Sequence, residues 1–251
     1  MSLLAEERKK QIIEMIESQG QVKVNDLAKD FEVSTETIRR YLESENKLKK
    51  VYGGAIKVDS EEEPSMFERE ILRIDEKKRI GQKAASLIHE GDVIFIDEGS
   101  TTLQMAASLT DLSDVTIITN SFPLVTMLMK YESKGLFTGD IIFLGGHVNS
   151  KHFRASGSLA EKMAKNFYVN KAFIAIDGVH PEAGITSFDL EKCLLSKIFI
   201  HNASETFVLA DHIKLNVKAT YKIESLKEID HLITNVPMPT DWNVQDMNWI
   251  I

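Results

Sequence analysis

From about residue 93 the chain alternates short apolar runs of strand length with longer helical ones, and this alternation narrows the possible folds more than any other feature. Residues 93–96, 115–118, 141–144, 172–176, 206–209 and 231–233 read as strands. Helical stretches centred near residues 103–109, 124–129, 159–167 and 190–200 fall between the first five, and an amphipathic helix at about 75–89 precedes them. Near-continuous apolar strands separated by helices predict a mainly parallel sheet covered on both faces, with ligands at the carboxyl ends of its strands.

Those ends collect polar residues and glycines. Asp97-Glu98-Gly99-Ser100-Thr101-Thr102 leaves the first strand and opens a helix, so backbone N–H groups, three hydroxyls and the helix dipole converge where a phosphate fits. The segment lacks the Walker-A spacing and its lysine, which argues against a nucleoside triphosphatase. Thr119, Asn120 and Ser121 end the second strand, Gly145 and Gly146 the third, Asp177 and Gly178 the fourth, and Asp211 with Lys214 the fifth. Each alone reads as a turn or a cap. Five in register at one edge of a parallel sheet read as a pocket. A carboxylate repels a phosphate dianion, so Asp97, Asp177 and Asp211 are expected to accept hydrogen bonds from sugar hydroxyls or to hold loops. Lys214 and the turn at 100–102 suit the phosphate, and the expected ligand is a small phosphorylated sugar or polyol.

A different pattern precedes this body. The first 58 residues are nearly neutral, the remainder is acidic, and the stretch 59–64, Asp-Ser-Glu-Glu-Glu-Pro, separates them. Its like charges repel and its proline disfavours helix just before it, so it reads as a linker, or as a solvated acidic loop within one domain. The expected division is 1–58, a linker at 59–74, and 75–251. Ile12, Ile13, Met15 and Ile16 form one apolar helical face. Val22 and Val24 alternate as in a short strand, and Asn25 is placed to cap a second helix carrying Leu27, Ala28 and Phe31. After a turn at Glu32-Val33, Ser34 caps a third helix with Ile38 and Leu42 inward. Ser34, Thr35, Glu36, Thr37, Arg39 and Arg40 crowd the opposite face, as a recognition helix requires for base edges and phosphates. The run 47–58 then forms two alternating segments about Gly53-Gly54, a basic hairpin or wing bearing Lys49, Lys50 and Tyr52. The three helices alone fit a small helical subdomain as well as a DNA-binding one; the basic hairpin favours DNA.

Composition closes off other classes. A net charge of −8 excludes coating of nucleic acid by bulk charge, so any DNA contact is local. No apolar run approaches a membrane span, and charge arrives too early in the sequence for a signal-peptide core; a soluble, cytoplasmic protein is expected. With one cysteine, Cys193, no intrachain disulfide is possible, and a packing role is expected for it. The seven histidines show neither HxxxH nor HxH spacing, so neither a metal nor another cofactor is expected. Trp242 and Trp249 read equally as tail packing or as oligomer contacts.

The order of these motifs resembles the DeoR family of bacterial transcriptional regulators over nearly the whole chain. The resemblance is carried by residues 33–40 (Val-Ser-Thr-Glu-Thr-Ile-Arg-Arg), 51–55 (Val-Tyr-Gly-Gly-Ala), 97–102, 119–121, 144–146, 171–178, and 209–211 with Lys214. It implies an N-terminal winged helix-turn-helix and a C-terminal α/β effector domain similar in fold to ribose-5-phosphate isomerase. It further implies that a sugar intermediate, usually phosphorylated, controls binding to double-stranded operator DNA, most often by releasing a repressor. Tyr41 stands where the family commonly has Asp, Tyr52 where it often has His, and Ser196 where it usually has Lys; the stretch from Arg40 to Gly53 is about three residues short. A dimer or tetramer is expected, because paired recognition helices read successive major grooves. Two other functions fit the same residues: a sugar-phosphate isomerase with Asp177 as general base beside Lys214, and an activator that needs its ligand to bind DNA.

Overall fold

The computed structural model describes residues 8, 11–12, 15, 21–43, 48–51, 54–57, 66–244 and 247–251. The chain divides into two compact units, Met1–Pro64 and Ser65–Ile251.

In the first unit, strand β1 (Gln21–Lys23) runs straight into the helix Val24–Asp30. Val24 is therefore the first helical residue and not part of the strand, and Asn25 lies within the helix instead of capping it. Burial decides this: Val24 packs with Ile12, Leu27 and Ile38 in a core that Met15, Ala28, Phe31, Val33 and Tyr41 border. The helix ends with Glu32 in the left-handed region, φ 51°, while the Val33 N–H reaches back to the Ala28 carbonyl at 3.0 Å. The next helix, Thr35–Glu43, follows, and strands β2 (Leu48–Val51) and β3 (Gly54–Lys57) pair antiparallel with Val51 opposite Gly54. This is the expected hairpin. β1 pairs with the other side of β3, giving the order β1-β3-β2. Tyr52, Gly53, the acidic stretch 59–64 and most of the expected first helix lie outside the described residues.

The second unit begins with the helices Met66–Ile71 and Ile74–Ala85. Seven parallel strands then build its sheet: β4 (Val93–Ile96), β5 (Thr116–Thr119), β6 (Asp140–Phe143), β9 (Val169–Ala175), β12 (Ala203–Leu209), β14 (His231–Ile233) and β15 (Asn248–Ile250). The last was not legible as a strand. The order β15-β14-β12-β9-β4-β5-β6 places the topological switch between β4 and β9, where the chain leaves in opposite directions, the position at the carboxyl edge where open α/β sheets take their ligands. The two-residue period sorts side chains into two cores. Phe95, Ile174 and Val208 face one side with Ala160, Leu195 and Phe199 from the helices Ser158–Ala164 and Leu190–Asn202. Ile94, Ile96, Phe173 and Phe207 face the other with Ile80, Leu103 and Leu124, from the helices Ile74–Ala85 and Phe122–Glu132 and the 3-10 helix Thr102–Asp111. Phe95 and Phe199 stack with centroids 3.7 Å apart.

Smaller elements sit beside the sheet. The hairpin β7 (His147–Asn149) and β8 (Arg154–Ser156) follows β6; β10 (Gly178–His180), β11 (Gly184–Ser187) and β13 (Tyr221–Glu224) form an antiparallel sheet after β9. Trp242 and Trp249 meet edge to face, and their ring N–H groups donate to Asn216 and to the Val236 carbonyl, so both are used in packing the tail. Cys193 is buried in the core, and burial pushes its thiol up to about 11. No described helix is long and apolar enough to cross a membrane.

Candidate functional site

In the first unit the helix Thr35–Glu43 presents a polar face. Ser34 Oγ accepts the Thr37 N–H at 3.1 Å and lies 2.9 Å from Thr37 Oγ1, which fixes the start of the helix. Ile38 is fully buried beneath. Glu36, Arg39 and Arg40 are exposed, Thr35 and Thr37 half-buried, and Ser34, Glu36, Thr37 and Arg40 line one surface depression. Arg39 lies 3.4 Å from Glu36, one turn away on the surface, where an ion pair is weak and yields to a stronger anion. Tyr41 points inward and borders the core. Lys49 and Lys50 occupy β2, opposite Ile56 and Ala55; Tyr52 lies outside the described residues.

In the second unit the carboxyl edge of the sheet holds a buried ionic network. Glu98, almost inaccessible, lies 2.9 Å from Arg154 Nη1, 3.1 Å from Lys192 Nζ and 3.6 Å from Arg69 Nη2. Burial works against its charge, but Lys192, Arg154 and Arg69 together outweigh burial and bring the carboxyl down to about 2. Arg154, with no exposed surface, also pairs with Asp189 at 2.6 Å. Asp97 is different. Burial raises its carboxyl to about 6, Glu98 adds to the rise, and Lys192, the Ser196 hydroxyl at 2.9 Å and Arg154 only partly offset it. Asp177 accepts from Ser187 Oγ at 2.5 Å and lies 3.6 Å from Lys214 Nζ. Burial opposes its charge, yet Lys192, Lys214 and the Ser187 hydroxyl keep it well below the usual carboxylate range.

A second set of cations reaches the same edge from the start of the unit. Lys77, almost completely buried, donates from Nζ to Ser100 Oγ at 2.9 Å and to the Arg69 carbonyl. Burial pushes its ammonium down to about 8; Asp211 resists, while Arg73, Lys214 and Arg69 push the same way. Arg73 Nε donates to Asp211 Oδ2 at 3.0 Å. Asn120 Oδ1, Asp177 Oδ1, Asp211 Oδ1 and Glu98 Oε2 are buried without a hydrogen-bond partner. Such atoms are costly to leave unsatisfied, and all four are acceptors. The edge thus offers a buried ammonium beside a hydroxyl-bearing turn, and acceptor oxygens that suit a ligand rich in hydroxyl donors.

The DeoR-like helix-turn-helix domain matches residues 8–61, and the DeoR C terminal sensor domain matches residues 72–236. The chain belongs to the DeoR family. It is similar to the uncharacterized HTH-type transcriptional regulator YulB of Bacillus subtilis (strain 168), 33% identical over 237 residues that cover 93% of this chain and 90% of that one. The putative aga operon transcriptional repressor of Escherichia coli O157:H7 is 30% identical, covering 94% and 88% of the two chains. The glycerol-3-phosphate regulon repressor of Escherichia coli (strain K12) is 28% identical, covering 91% and 90%. Among solved structures, ribose 5-phosphate isomerase A from Methanocaldococcus jannaschii aligns over 57% of this chain and 54% of its own, at 23% identity and a TM-score of 0.40.

Within this DeoR-family sensor unit, the residues expected at the site divide by what they do. Asp97, Gly99, Ser100, Asn120, Asp177 and Asp211 are all buried. Thr102 Oγ1 donates to the Asp97 carbonyl at 2.7 Å and Thr119 Oγ1 to the Ile96 carbonyl at 2.7 Å, so both hydroxyls brace their loops. Ser121 caps the helix Phe122–Glu132 through the Leu124 N–H. Thr101 is half-buried at the turn. Gly145 has open space about it. Gly146 (φ 154°) and Gly178 are held by close backbone, since a Cβ there would meet the Ser156 and Val217 carbonyls at 2.5 and 2.4 Å. Lys214 pairs with Asp177. Glu98, Arg154, Lys192, Arg69, Arg73 and Lys77 were not singled out. For two of these a signal existed: Lys77 stands on the buried stripe of its helix with Ile80, Gly81 and Ala84, and Lys192 on that of its own with Leu195, Ser196 and Phe199. A lysine on an apolar face calls for a buried partner.

Proposed function

We propose that this DeoR-family regulator represses a sugar or polyol catabolic operon and leaves its operator when a phosphorylated sugar or polyol binds the sensor edge. The observation that carries this reading is Lys77, a buried ammonium hydrogen-bonded to Ser100 in the turn after the first strand. A phosphate there relieves the crowding of Lys77 by Arg73, Lys214 and Arg69. Gly99, Ser100, Thr101 and Thr102 frame that phosphate, with Lys214 on its flank. Hydroxyls of the same ligand donate to the bare oxygens of Asn120, Asp177 and Asp211, with Asp97, Thr119, Ser121, Gly145, Gly146 and Gly178 shaping the floor.

On the DNA side, Ser34, Thr35, Glu36 and Thr37 meet base edges in the major groove, Arg39 and Arg40 the phosphates or guanine, and Lys49, Lys50 and Tyr52 of the wing the adjacent backbone. The working form is a cytoplasmic dimer or tetramer, which sets two recognition helices about 34 Å apart. Against an isomerase, Asp177 is a poor general base: its carboxyl is held well below the range in which it takes a proton near neutral pH. The test is fluorescence anisotropy on DNA from upstream of the neighbouring genes, at fixed salt, with a panel of sugar phosphates and the free sugars. Release by one phosphorylated member alone is expected; conversion of that compound with no DNA binding refutes the proposal.

A further inference from the structure

We propose that the segment 66–73 reads whether the sensor edge is occupied, because side chains that would grip a ligand's anion also hold this segment down. The inference rests on the reading of that edge as an anion-binding site and adds how its occupancy is reported.

Three contacts fasten the segment to site residues. The Lys77 ammonium donates both to the Arg69 carbonyl and to Ser100 Oγ (2.9 Å), so one cation ties the helix Met66–Ile71 to the turn where a phosphate fits. Arg69 Nη2 lies 3.6 Å from Glu98 Oε2 and 3.2 Å from His152 Nδ1. His152 is neutral at pH 7, since burial brings it down to about 4 against the pull of Glu98. Arg73 Nε donates to Asp211 Oδ2 at 3.0 Å, while the other oxygen of Asp211 is buried with no hydrogen-bond partner. The Met66 N–H closes the start of the segment on the Lys151 carbonyl at 3.1 Å.

The backbone adds a reason for the hold to be reversible. Arg73, the joint between the helices Met66–Ile71 and Ile74–Ala85, has φ 52° and ψ 42°, a left-handed conformation that a side-chain-bearing residue rarely adopts. Contacts therefore hold the joint in place, and weakening them releases it. An anion at Ser100 takes Lys77 from the Arg69 carbonyl and attracts Arg73 from Asp211, and ligand hydroxyls then satisfy Asp211. Ligand and segment compete for the same donors, so each weakens the other. The second unit begins at Ser65, so the segment 66–73 is the described part of that unit nearest in sequence to the first.

The experiment is hydrogen exchange by mass spectrometry on the full chain, with and without millimolar inorganic phosphate at constant ionic strength. Slower exchange over residues 99–103 is expected, with exchange over 66–73 at least several-fold faster. In Arg69→Gln, which removes the segment's contacts with Glu98 and His152 at a side chain outside the anion's own contacts, 66–73 should exchange faster before phosphate is added and respond less to it, while 99–103 still responds. Protection at 99–103 with unchanged or slower exchange at 66–73 overturns the inference and leaves the anion site standing. No response at 99–103 refutes the site itself, and the inference with it.

Discussion

At the scale of single residues, Asp97 and Lys77 hold their protons differently from the unfolded chain, and each makes a titration prediction. Asp97 is raised from 3.8 to about 6, first by burial. Asp97 therefore binds more protons in the folded than in the unfolded chain between those values, and its own contribution to stability falls as pH rises through that window, by about 3 kcal/mol. His152, lowered from 6.5 to about 4, contributes a rise over nearly the same window, so the effect of Asp97 is read as a difference. In urea unfolding followed by Trp242 and Trp249 fluorescence, the native protein should lose stability relative to Asp97→Asn as pH rises from about 4 to 6. Glu98 acts oppositely: its depressed carboxyl contributes stability above 4.5 that is lost as pH drops towards 2, a window that overlaps that of Asp97 only between 3.8 and 4.5. Lys77, lowered to about 8, is charged at pH 7. Affinity for a sugar phosphate should hold to about pH 8 and then decline by up to tenfold per pH unit, until the complex itself loses the proton. Lys77→Met should lower affinity at pH 7 by roughly 10- to 100-fold, the worth of one charge-assisted hydrogen bond, and abolish the decline. Calorimetric titration at pH 7, 8 and 9 measures both effects.

At the scale of elements, the recognition helix depends on one cap and one anchor. Ser34→Ala should cost about 1 kcal/mol and Ile38→Ala about 2–4 kcal/mol of the first unit's stability, measured by thermal unfolding. Arg40→Ala should leave that stability intact, weaken binding to all DNA sequences, and reduce the salt dependence by about one phosphate contact; an unchanged slope removes Arg40 from the backbone. The elements themselves were readable from their apolar patterns: the carboxyl halves of β4, β9 and β12 are apolar on both faces, and Ile38 and Leu42 stand one turn apart among the polar residues of the third helix. Boundaries set by tertiary contact were not. Val24 belongs to a helix because Leu27 and Ile38 bury it, and β15 is a strand because β14 offers it an edge. The sensor edge was half legible. Its glycines and hydroxyls follow the strands in sequence, whereas Arg154 and Lys192 meet Glu98 from 56 and 94 residues away, a closure no local pattern encodes. Ser196 gives Asp97 a hydroxyl hydrogen bond and no positive charge, which leaves that carboxyl only partly offset against burial.

At the scale of the whole molecule, ligand and DNA are linked by one free-energy coupling: a ligand that favours the DNA-free state must bind DNA-bound protein more weakly by the same factor that it weakens DNA binding. The dissociation constant of the releasing sugar phosphate should be measured by calorimetry on the free protein and on the protein saturated with operator DNA, in one buffer. Affinity should be lower on DNA by the factor seen in anisotropy, typically 5- to 150-fold, with both effects lost in Lys77→Met. Equal affinity in the two states would contradict it, because a ligand indifferent to DNA cannot release the protein from it.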